Sequence, residues 1–262
     1  MRQDADSLKP VYAYGMMTLH FRAATAAVNG PPLLLVHGWC CDHRAMRPVA
    51  AAFPDHDVWL ADLPGHGASA DSGDYRIASH AAALAEAMPP GCVVVGHSMG
   101  GQVALELAAR FPEKLAGAVL VDAAHILPSD KVMEAGQALQ KQLARHAPAD
   151  IVRAFARAQL VGPLSGDYDA LVDAMAATPA HVARGQWDAI LGYDGGPAAL
   201  ARLARPLLAV AIDRPVNRLS DLARASRRVM TGQVAGSGHM VQFEAMDQLA
   251  AMMRRWMLLE IS

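Results

Sequence analysis

Short runs of branched apolar residues recur along this chain, and segments with the apolar spacing of amphipathic helices separate them. Runs that are apolar throughout are typical of parallel strands buried on both faces. They predict strands at 33–36, 57–62, 92–95, 116–121, 206–212 and 228–234. The intervening segments predict helices at 43–53, 77–88, 99–111, 218–226 and 242–259. A looser alternation from Val11 to Ala24 predicts an antiparallel hairpin that turns near Gly15.

This alternation of strands and helices predicts an α/β fold. A helix that follows a strand packs back onto the sheet, so the next strand can run parallel to the first. We therefore expect a mostly parallel central sheet flanked by helices on both faces.

The stretch from about residue 125 to residue 205 departs from the alternation. It lacks strand-like runs and predicts short amphipathic helices, broken at Pro148, at Gly162-Pro163 and at Gly195-Gly196-Pro197. A stretch of this length is too long for a simple connection. We therefore predict an α/β core of residues 1–124 and 206–262, with a helical insertion of residues 125–205.

Composition and charge exclude several classes of function. With 53% hydrophobic and 18% charged residues, the 262-residue chain can bury a large core. Its net charge of −2 offers no basic footprint for nucleic acid or an anionic membrane. We find no signal peptide and no apolar run that could span a bilayer, and the three cysteines lack metal-type spacing. We expect a cytoplasmic protein that acts on a small molecule, and the sequence leaves homo-oligomer formation open.

The most informative segment is Val95-Gly96-His97-Ser98-Met99-Gly100-Gly101. A predicted strand passes here directly into a helix rich in Ala, Leu and Glu, so Ser98 must lie on a very tight turn. Gly96 and Gly100 have no Cβ atoms, which lets the strand and the helix approach closely. Such a turn exposes the serine hydroxyl beside the free N–H groups of a helix N-terminus, as in the G-x-S-x-G motif of nucleophilic serines.

A serine hydroxyl needs a base that accepts its proton, and the base needs a carboxylate that orients it. Of the eleven histidines, we favour His239. It lies in the glycine-rich loop 236–240 after the last predicted strand, where the order serine, acid, histidine places the base. His97 is adjacent to Ser98 and should point away from it, in a packing role. We expect His66 on a glycine-rich surface loop.

Two aspartates compete for the role of the acid. Asp122 ends the strand that follows the nucleophile strand, and Asp213 ends the strand after the insertion. Either residue could instead cap a helix or brace a loop. A third, Asp221, falls inside a predicted helix and is expected at the surface. We favour Asp122 and keep Asp213 as the alternative.

Acyl transfer also needs two donors for the developing oxyanion. We expect the backbone N–H groups of Trp39 and Met99, because Trp39 follows the first long apolar run and Met99 follows the serine. Gly38 permits a close approach of that loop. We also expect His37, Gly38 and Trp39 to contact substrate, and His37 to shape its loop through backbone hydrogen bonds.

Taken together, these segments resemble the α/β-hydrolase superfamily across nearly the whole chain. The matching segments are Leu35-Val36-His37-Gly38-Trp39, Asp62-Leu63-Pro64-Gly65-His66-Gly67, Val95-Gly96-His97-Ser98-Met99-Gly100-Gly101 and Gly238-His239-Met240. The resemblance implies that residues 125–205 form a cap domain that covers the site and selects substrates. One position departs from the family pattern. Pro215 stands where the acid usually lies, with Asp213 two residues early, whereas some branches place the acid where Asp122 stands.

The side chains of the insertion bear on the substrate. Aliphatic and aromatic residues such as Phe155, Trp187 and Leu191 predict an apolar pocket wall, although most such residues should pack between the helices themselves.

A second, local resemblance implies a different chemistry. Val36-His37-Gly38-Trp39-Cys40-Cys41-Asp42-His43-Arg44 is similar to a segment of the cofactor-independent 2,4-dioxygenases of quinoline rings, which share this fold and use a His–Asp dyad. Three hypotheses follow: a serine hydrolase of an ester, thioester or lactone-type acyl bond, a dioxygenase of a hydroxylated N-heteroaromatic, and a hydrolase-fold receptor with little turnover. We favour the hydrolase, with Ser98, His239 and Asp122 as the triad, and expect no cofactor or metal ion.

Overall fold

A single twisted sheet organises the computed structural model, which describes residues 9–14, 16–161 and 168–261. Its strands are β1 Lys9–Tyr14, β2 Met17–Arg22, β3 Leu33–Val36, β4 Val58–Asp62, β5 Cys92–His97, β6 Leu115–Val121, β7 Leu207–Ala211 and β8 Val229–Gln233. Their spatial order is β1-β2-β4-β3-β5-β6-β7-β8. Pairing is antiparallel for β1–β2 and β2–β4 and parallel for every other neighbouring pair. The predicted α/β fold with a mostly parallel sheet is confirmed.

Helices connect the strands and cover both faces of the sheet. Before β6 lie α1 Arg47–Ala52, α2 Ile77–Ala87 and α3 Met99–Arg110. Between β6 and β7 lie α4 Asp130–Arg145, α5 Pro148–Ala158, α6 Tyr168–Ala176, α7 Ala180–Leu191 and α8 Gly196–Arg202. The last elements are α9 Leu219–Ala225, α10 Val241–Glu244 and α11 Met246–Glu260.

Alternate side chains of the central strands enter two hydrophobic clusters, one on each face of the sheet. Leu34 of β3 shares a cluster with Leu84 of α2 and Val103 of α3. Leu35, the next residue along, shares the other cluster with Trp256 of α11. A slip of one residue would exchange the two faces, and each buried Leu or Val contributes roughly 1.5–3 kcal/mol, so the clusters fix the register of the strands. The register in turn fixes where β5 and β6 end.

Between β6 and β7, the described residues form helices alone, as the sequence predicts for this region. Helices α4, α5, α6 and α7 pack on one another, and we call them the inserted helices. By contrast, α8 packs against α3 and α9, beside the sheet. Of the predicted breaks, Pro148 opens α5, where its missing N–H costs no hydrogen bond, and Gly162-Pro163 lies outside the described residues.

The closing helix predicted at 242–259 is wrong in one respect, because the structure divides it into α10 and α11. Ala245 lies between them with φ −142° and ψ 43°, outside the helical region. The break allows α11 to turn onto the sheet, where Leu249 and Trp256 are buried. The predicted helix 43–53 likewise begins as a 3₁₀ turn, His43–Met46, before α1. The predicted hairpin is present as β1 and β2, and its turn at Gly15 lies outside the described residues.

Membrane-spanning helices must be long and apolar. None of the described helices is both long enough and apolar enough to cross a bilayer.

Candidate active site

Ser98 occupies a strained turn between β5 and α3. Its φ of 56° and ψ of −118° lie where side chains are rarely found. The turn is possible because a Cβ on Gly96 would lie 2.0 Å from the carbonyl oxygen of Gly100, and one on Gly100 would lie 2.4 Å from that of Val36. Only glycine therefore fits at these two positions, as the sequence predicts, and the backbone holds the serine at the end of the sheet.

Asp122 and His239 meet beyond the same end of the sheet. Oδ2 of Asp122 lies 2.7 Å from Nδ1 of His239. A carboxylate accepts a hydrogen bond, so Nδ1 carries the proton and Nε2 retains a free lone pair. Asp122 leaves β6 with φ 37°, a second strained position. The alternative acid, Asp213, is exposed and instead lies near the loop, 3.4 Å from the backbone nitrogen of Gly236.

The loop after β6 is held by a residue that sequence reasoning missed. Asn217, which is buried, donates through Nδ2 to the carbonyl oxygens of Ala123 and Ala124. Its Oδ1 accepts from the N–H of Ile126 at 2.6 Å. Because these bonds lie immediately after Asp122, they fix the direction in which its chain leaves the strand.

Three contacts hold the backbone around His239. Its own N–H donates to the carbonyl oxygen of Gln159, just after α5, at 2.9 Å. The N–H of the preceding Gly238 donates to Oε2 of Glu244 at 2.9 Å. Nε2 of His97 lies 2.8 Å from the His239 carbonyl oxygen and donates to it. Sequence reasoning missed Gln159 and Glu244, because these contacts involve the backbone and carry no motif.

His97 has the packing role that the sequence predicts. The ring is buried, and its centroid lies 4.6 Å from that of His239. Burial, followed by the nearby His239, lowers the pKa of His97 to about 3. The ring is therefore neutral at pH 7 and acts as a fixed hydrogen-bond donor.

The loop after β3 lies against the serine. A Cβ on Gly38 would lie 3.1 Å from Cβ of Ser98, so this close approach favours glycine. A turn closes when the N–H of Cys41 donates to the Gly38 carbonyl oxygen at 3.2 Å, with Cys40 at φ 56°. Between them, Trp39 donates through its indole N–H to the carbonyl oxygen of Ala183 in α7 at 2.8 Å. The loop that we expect to supply an oxyanion donor is thereby tied to the inserted helices.

Met99 and His37 are two further residues for which the sequence predicts a role at the site. Met99 is the first residue of α3, and the first N–H groups of a helix have no partner within it. The His37 ring is fully buried and bridges two backbone groups, with Nδ1 donating to Gly38 and Nε2 accepting from Leu63. Burial lowers its pKa, so the ring is neutral. His37 therefore shapes its loop through backbone hydrogen bonds. It does not line either of the two cavities that reach Ser98, and its contact with substrate stays a prediction.

A cavity of about 410 Å³ opens onto Ser98, Asp122 and His239. Its walls are mostly apolar and include Val132, Leu139, Phe155, Trp187, Ile190 and Leu191 of the inserted helices, together with Val216. A smaller cavity of about 20 Å³ also reaches Ser98 and His239 and is lined by Gly38 and Trp39. The inserted helices therefore form an apolar wall over the serine, as the sequence predicts.

His66 corrects an expectation from the sequence. The sequence predicts it on a surface loop, yet the residue is only 4% exposed, because α7 covers the Pro64-Gly65 turn. The amide nitrogen of Gln186 in α7 lies 3.3 Å from His66 Nδ1 and 3.4 Å from Nε2 of His80. Burial lowers the pKa of His66 to about 3 and that of His80 to about 4. Both rings are neutral at pH 7.

One group of described residues has the composition of a metal site. The ligand atoms of His20, His43 and Asp62 all lie within 4.8 Å of one another. The Asp62 carboxylate already accepts from both rings at 2.8 and 3.0 Å and from the N–H groups of His43 and Ala68. With four donors directed at its two oxygens, Asp62 connects β2, β4 and the turn before α1, and the cluster is accounted for by the fold.

Residues 33–252 match the alpha/beta hydrolase family, and the chain belongs to this family. Over 246 residues it is 28% identical to a pimeloyl-[acyl-carrier protein] methyl ester esterase of Xanthomonas campestris pv. campestris (strain B100), covering 87% of this chain and 95% of that protein. A stretch of 102 residues is 37% identical to the biotin biosynthesis bifunctional protein BioHC of Cellvibrio japonicus (strain Ueda107). That match covers 38% of this chain and 20% of the relative.

Solved structures show the same fold. A thermophilic esterase from Thermogutta terrifontis superposes with a TM-score of 0.75 at 20% identity, covering 97% of this chain and 98% of that one.

Proposed function

We propose that this protein is a serine esterase with Ser98 as nucleophile, His239 as base and Asp122 as orienting acid. The observation that carries the proposal is the 2.7 Å contact between Asp122 and His239. It lies in the cavity that also exposes Ser98 on its strained turn. A free Nε2 on a histidine held by a carboxylate is what a serine hydroxyl needs for activation.

The reaction begins when Oγ of Ser98 attacks the ester carbonyl carbon and His239 Nε2 accepts the hydroxyl proton. The carbonyl oxygen becomes an oxyanion, which the N–H groups of Met99 and Trp39 stabilise. His239 then returns the proton to the departing alkoxide, which leaves as an alcohol. Water attacks the acyl-serine in the second half, His239 takes its proton, and the carboxylic acid leaves as Ser98 is restored.

The substrate is a carboxylic ester with an apolar acyl chain. The cavity of about 410 Å³ is large enough for such a chain, and most of its wall is aliphatic or aromatic. The inserted helices serve as a cap that selects the chain through Phe155 and Trp187. The name of the Xanthomonas relative, a methyl ester esterase, supports an ester of an acyl chain as the substrate class.

The test is hydrolysis of a p-nitrophenyl ester by the wild type and by Ser98→Ala, with dissolved oxygen recorded. We expect the variant to lose at least about three orders of magnitude in kcat, because the acyl-enzyme cannot form. Exposed Ser220→Ala is the matched control and should retain full activity. A fluorophosphonate should add its mass to the wild type and to the control, but not to Ser98→Ala.

The same measurements, repeated with a hydroxylated N-heteroaromatic as substrate, separate the other hypotheses. Oxygen uptake that persists in Ser98→Ala and disappears in His239→Ala would instead indicate the dioxygenase. Tight ligand retention with one slow turnover in the wild type would indicate the receptor. Full esterase activity in Ser98→Ala would end the acyl-enzyme proposal.

A further inference from the structure

The cavity above Ser98 continues into a groove with a different character. The groove has a volume of about 750 Å³ and lies between the start of α4 and the loop that joins β7 to α9. It shares four lining residues with the cavity, namely Val132, Ala135, Arg214 and Val216. A molecule bound at Ser98 can therefore extend from one space into the other.

The groove concentrates positive charge. Its charged lining residues are Lys131, Arg214, Arg218 and Asp221. Asp221 is already paired with Arg224, outside the groove. In the described part of the chain, the side chains of Lys131, Arg214 and Arg218 have no hydrogen-bond or ion-pair partner, and all three are exposed. The adjacent acids Asp130 and Asp213 do not line the groove.

The positive charge of the groove is a local feature, because the chain as a whole carries a small negative charge. The protein carries 23 Lys and Arg against 25 Asp and Glu, for a net charge of −2. Three unpaired cations beside an apolar cavity thus stand out from an overall acidic molecule. Guanidinium groups pair well with carboxylates and phosphates, often through two parallel hydrogen bonds.

The two cavities at Ser98 also indicate which end of the substrate reaches the groove. The smaller cavity of about 20 Å³ beside Gly38 and Trp39 has room for a group not much larger than a water molecule. A small leaving alcohol fits there. The acyl chain then occupies the larger cavity, which adjoins the groove at the four residues that line both.

Resting on the esterase function proposed above, we infer that the substrate is a small-alcohol ester whose acyl chain ends in an anionic group. The chain crosses the apolar cavity, and its terminal carboxylate or phosphate binds Arg214, with Arg218 and Lys131 further along the groove. Arg214 is thereby a specificity-determining residue, because it alone among the cations lines both spaces.

The experiment compares three methyl esters of equal chain length: neutral methyl octanoate, monomethyl suberate, and the phosphate ester of methyl ω-hydroxyoctanoate. We expect the wild type to have the higher kcat/KM for at least one anionic ester, and the two anionic arms distinguish carboxylate from phosphate. Arg214→Gln should lower kcat/KM for that ester about threefold to tenfold more than it lowers kcat/KM for methyl octanoate, as expected for one lost charge-assisted contact. Exposed Arg227→Gln, outside the groove, is the matched control. Added salt should reduce the preference.

Calorimetric binding of the same esters to Ser98→Ala tests the groove without turnover. Ser98→Ala should bind an anionic ester more tightly than the neutral one, and Ser98→Ala/Arg214→Gln should lose this difference. That result supports binding of the anionic end in the groove, even if the wild type hydrolyses none of the esters and the esterase proposal fails. Equal binding of neutral and anionic esters overturns the inference that the groove binds an anionic end, even if hydrolysis is efficient. An effect of Arg214→Gln that is the same for methyl octanoate also overturns it.

Discussion

The carboxylate of Asp122 accepts a hydrogen bond from Nδ1 of His239 across 2.7 Å, although 117 residues separate them in the chain. Both groups are largely shielded from solvent, with side-chain exposures of 4% for Asp122 and 14% for His239. A charge-assisted bond in such surroundings is stronger than one in water, so it fixes both the tautomer and the orientation of the ring.

This contact predicts unequal effects for the two candidate acids. Asp122→Asn should lower kcat about 10³- to 10⁴-fold, because the amide favours the wrong tautomer of His239. Asp213→Asn should change kcat by no more than about twofold. The Asp213 carboxylate is exposed, and its contact with the backbone nitrogen of Gly236 is long and therefore weak, at 3.4 Å. Ester hydrolysis by the two variants decides between them. A larger loss in Asp213→Asn would reverse the assignment.

The contact between the histidine loop and the inserted helices predicts a contrast between two glycines. A Cβ on Gly238 would lie 2.0 Å from the Gln159 carbonyl oxygen, whereas one on Gly236 would meet nothing within 4 Å. Gly238→Ala should therefore displace His239 and lower kcat roughly tenfold to a hundredfold.

Gly236→Ala is the control for that variant. Its φ of 69° should cost about 1 kcal/mol of stability and leave kcat within about twofold. Kinetics and thermal unfolding of both variants separate backbone strain from steric displacement. Equal activity of the two alanine variants would contradict the role of the Gln159 contact.

Glu244 is expected to act as a positioning residue for His239. Its Oε1 accepts from the N–H of Val161 at 2.7 Å and its Oε2 from that of Gly238 at 2.9 Å. Glutamine retains one acceptor oxygen, so Glu244→Gln breaks one of the two bonds. We expect kcat to fall about fivefold with KM nearly unchanged, because the base shifts while the cavity stays intact.

Exposed Glu134→Gln on α4 is the matched control and should leave both constants unchanged. A rise in KM alone for Glu244→Gln would point to the cavity instead of the base. Restoration of full kcat by Glu244→Asp would show that the carboxylate, and not the length of the side chain, is what matters.

Buried neutral histidines predict how stability depends on pH. Burial lowers the pKa of His66, His80 and His97 to about 3, 4 and 3 in the folded protein. The unfolded chain should protonate them near pH 6.5. Below pH 6.5 the unfolded state therefore binds more protons, and the free energy of unfolding falls as pH decreases towards about 4. Each histidine contributes up to about 1.4 kcal/mol per pH unit in this window.

Urea unfolding at several pH values between 7 and 4.5 checks this prediction. His80→Gln should reduce the slope by about one proton, even if the variant is less stable overall. Exposed His146→Gln is the control and should keep the wild-type slope. A free energy of unfolding that does not change across the window would contradict the neutral buried rings.

The sequence by itself determined the features that depend on neighbouring residues. Gly96, Ser98 and Gly100 specify the turn. Strand and helix meet there so closely that neither glycine position has room for a Cβ. The branched apolar runs specify the strands, and their alternation with helices specifies a mostly parallel sheet. The position of His239 follows from its glycine-rich loop after the last strand.

Only the tertiary structure decided which distant groups meet. Asp122 and Asp213 both end strands, and the direction in which each chain leaves its strand brings only Asp122 to His239. His66 is buried because α7 packs over its loop. The cationic groove likewise requires α4 to lie beside the loop after β7. Such contacts depend on packing between elements far apart in the chain, whereas turns and strands depend on steric limits and burial within a few residues.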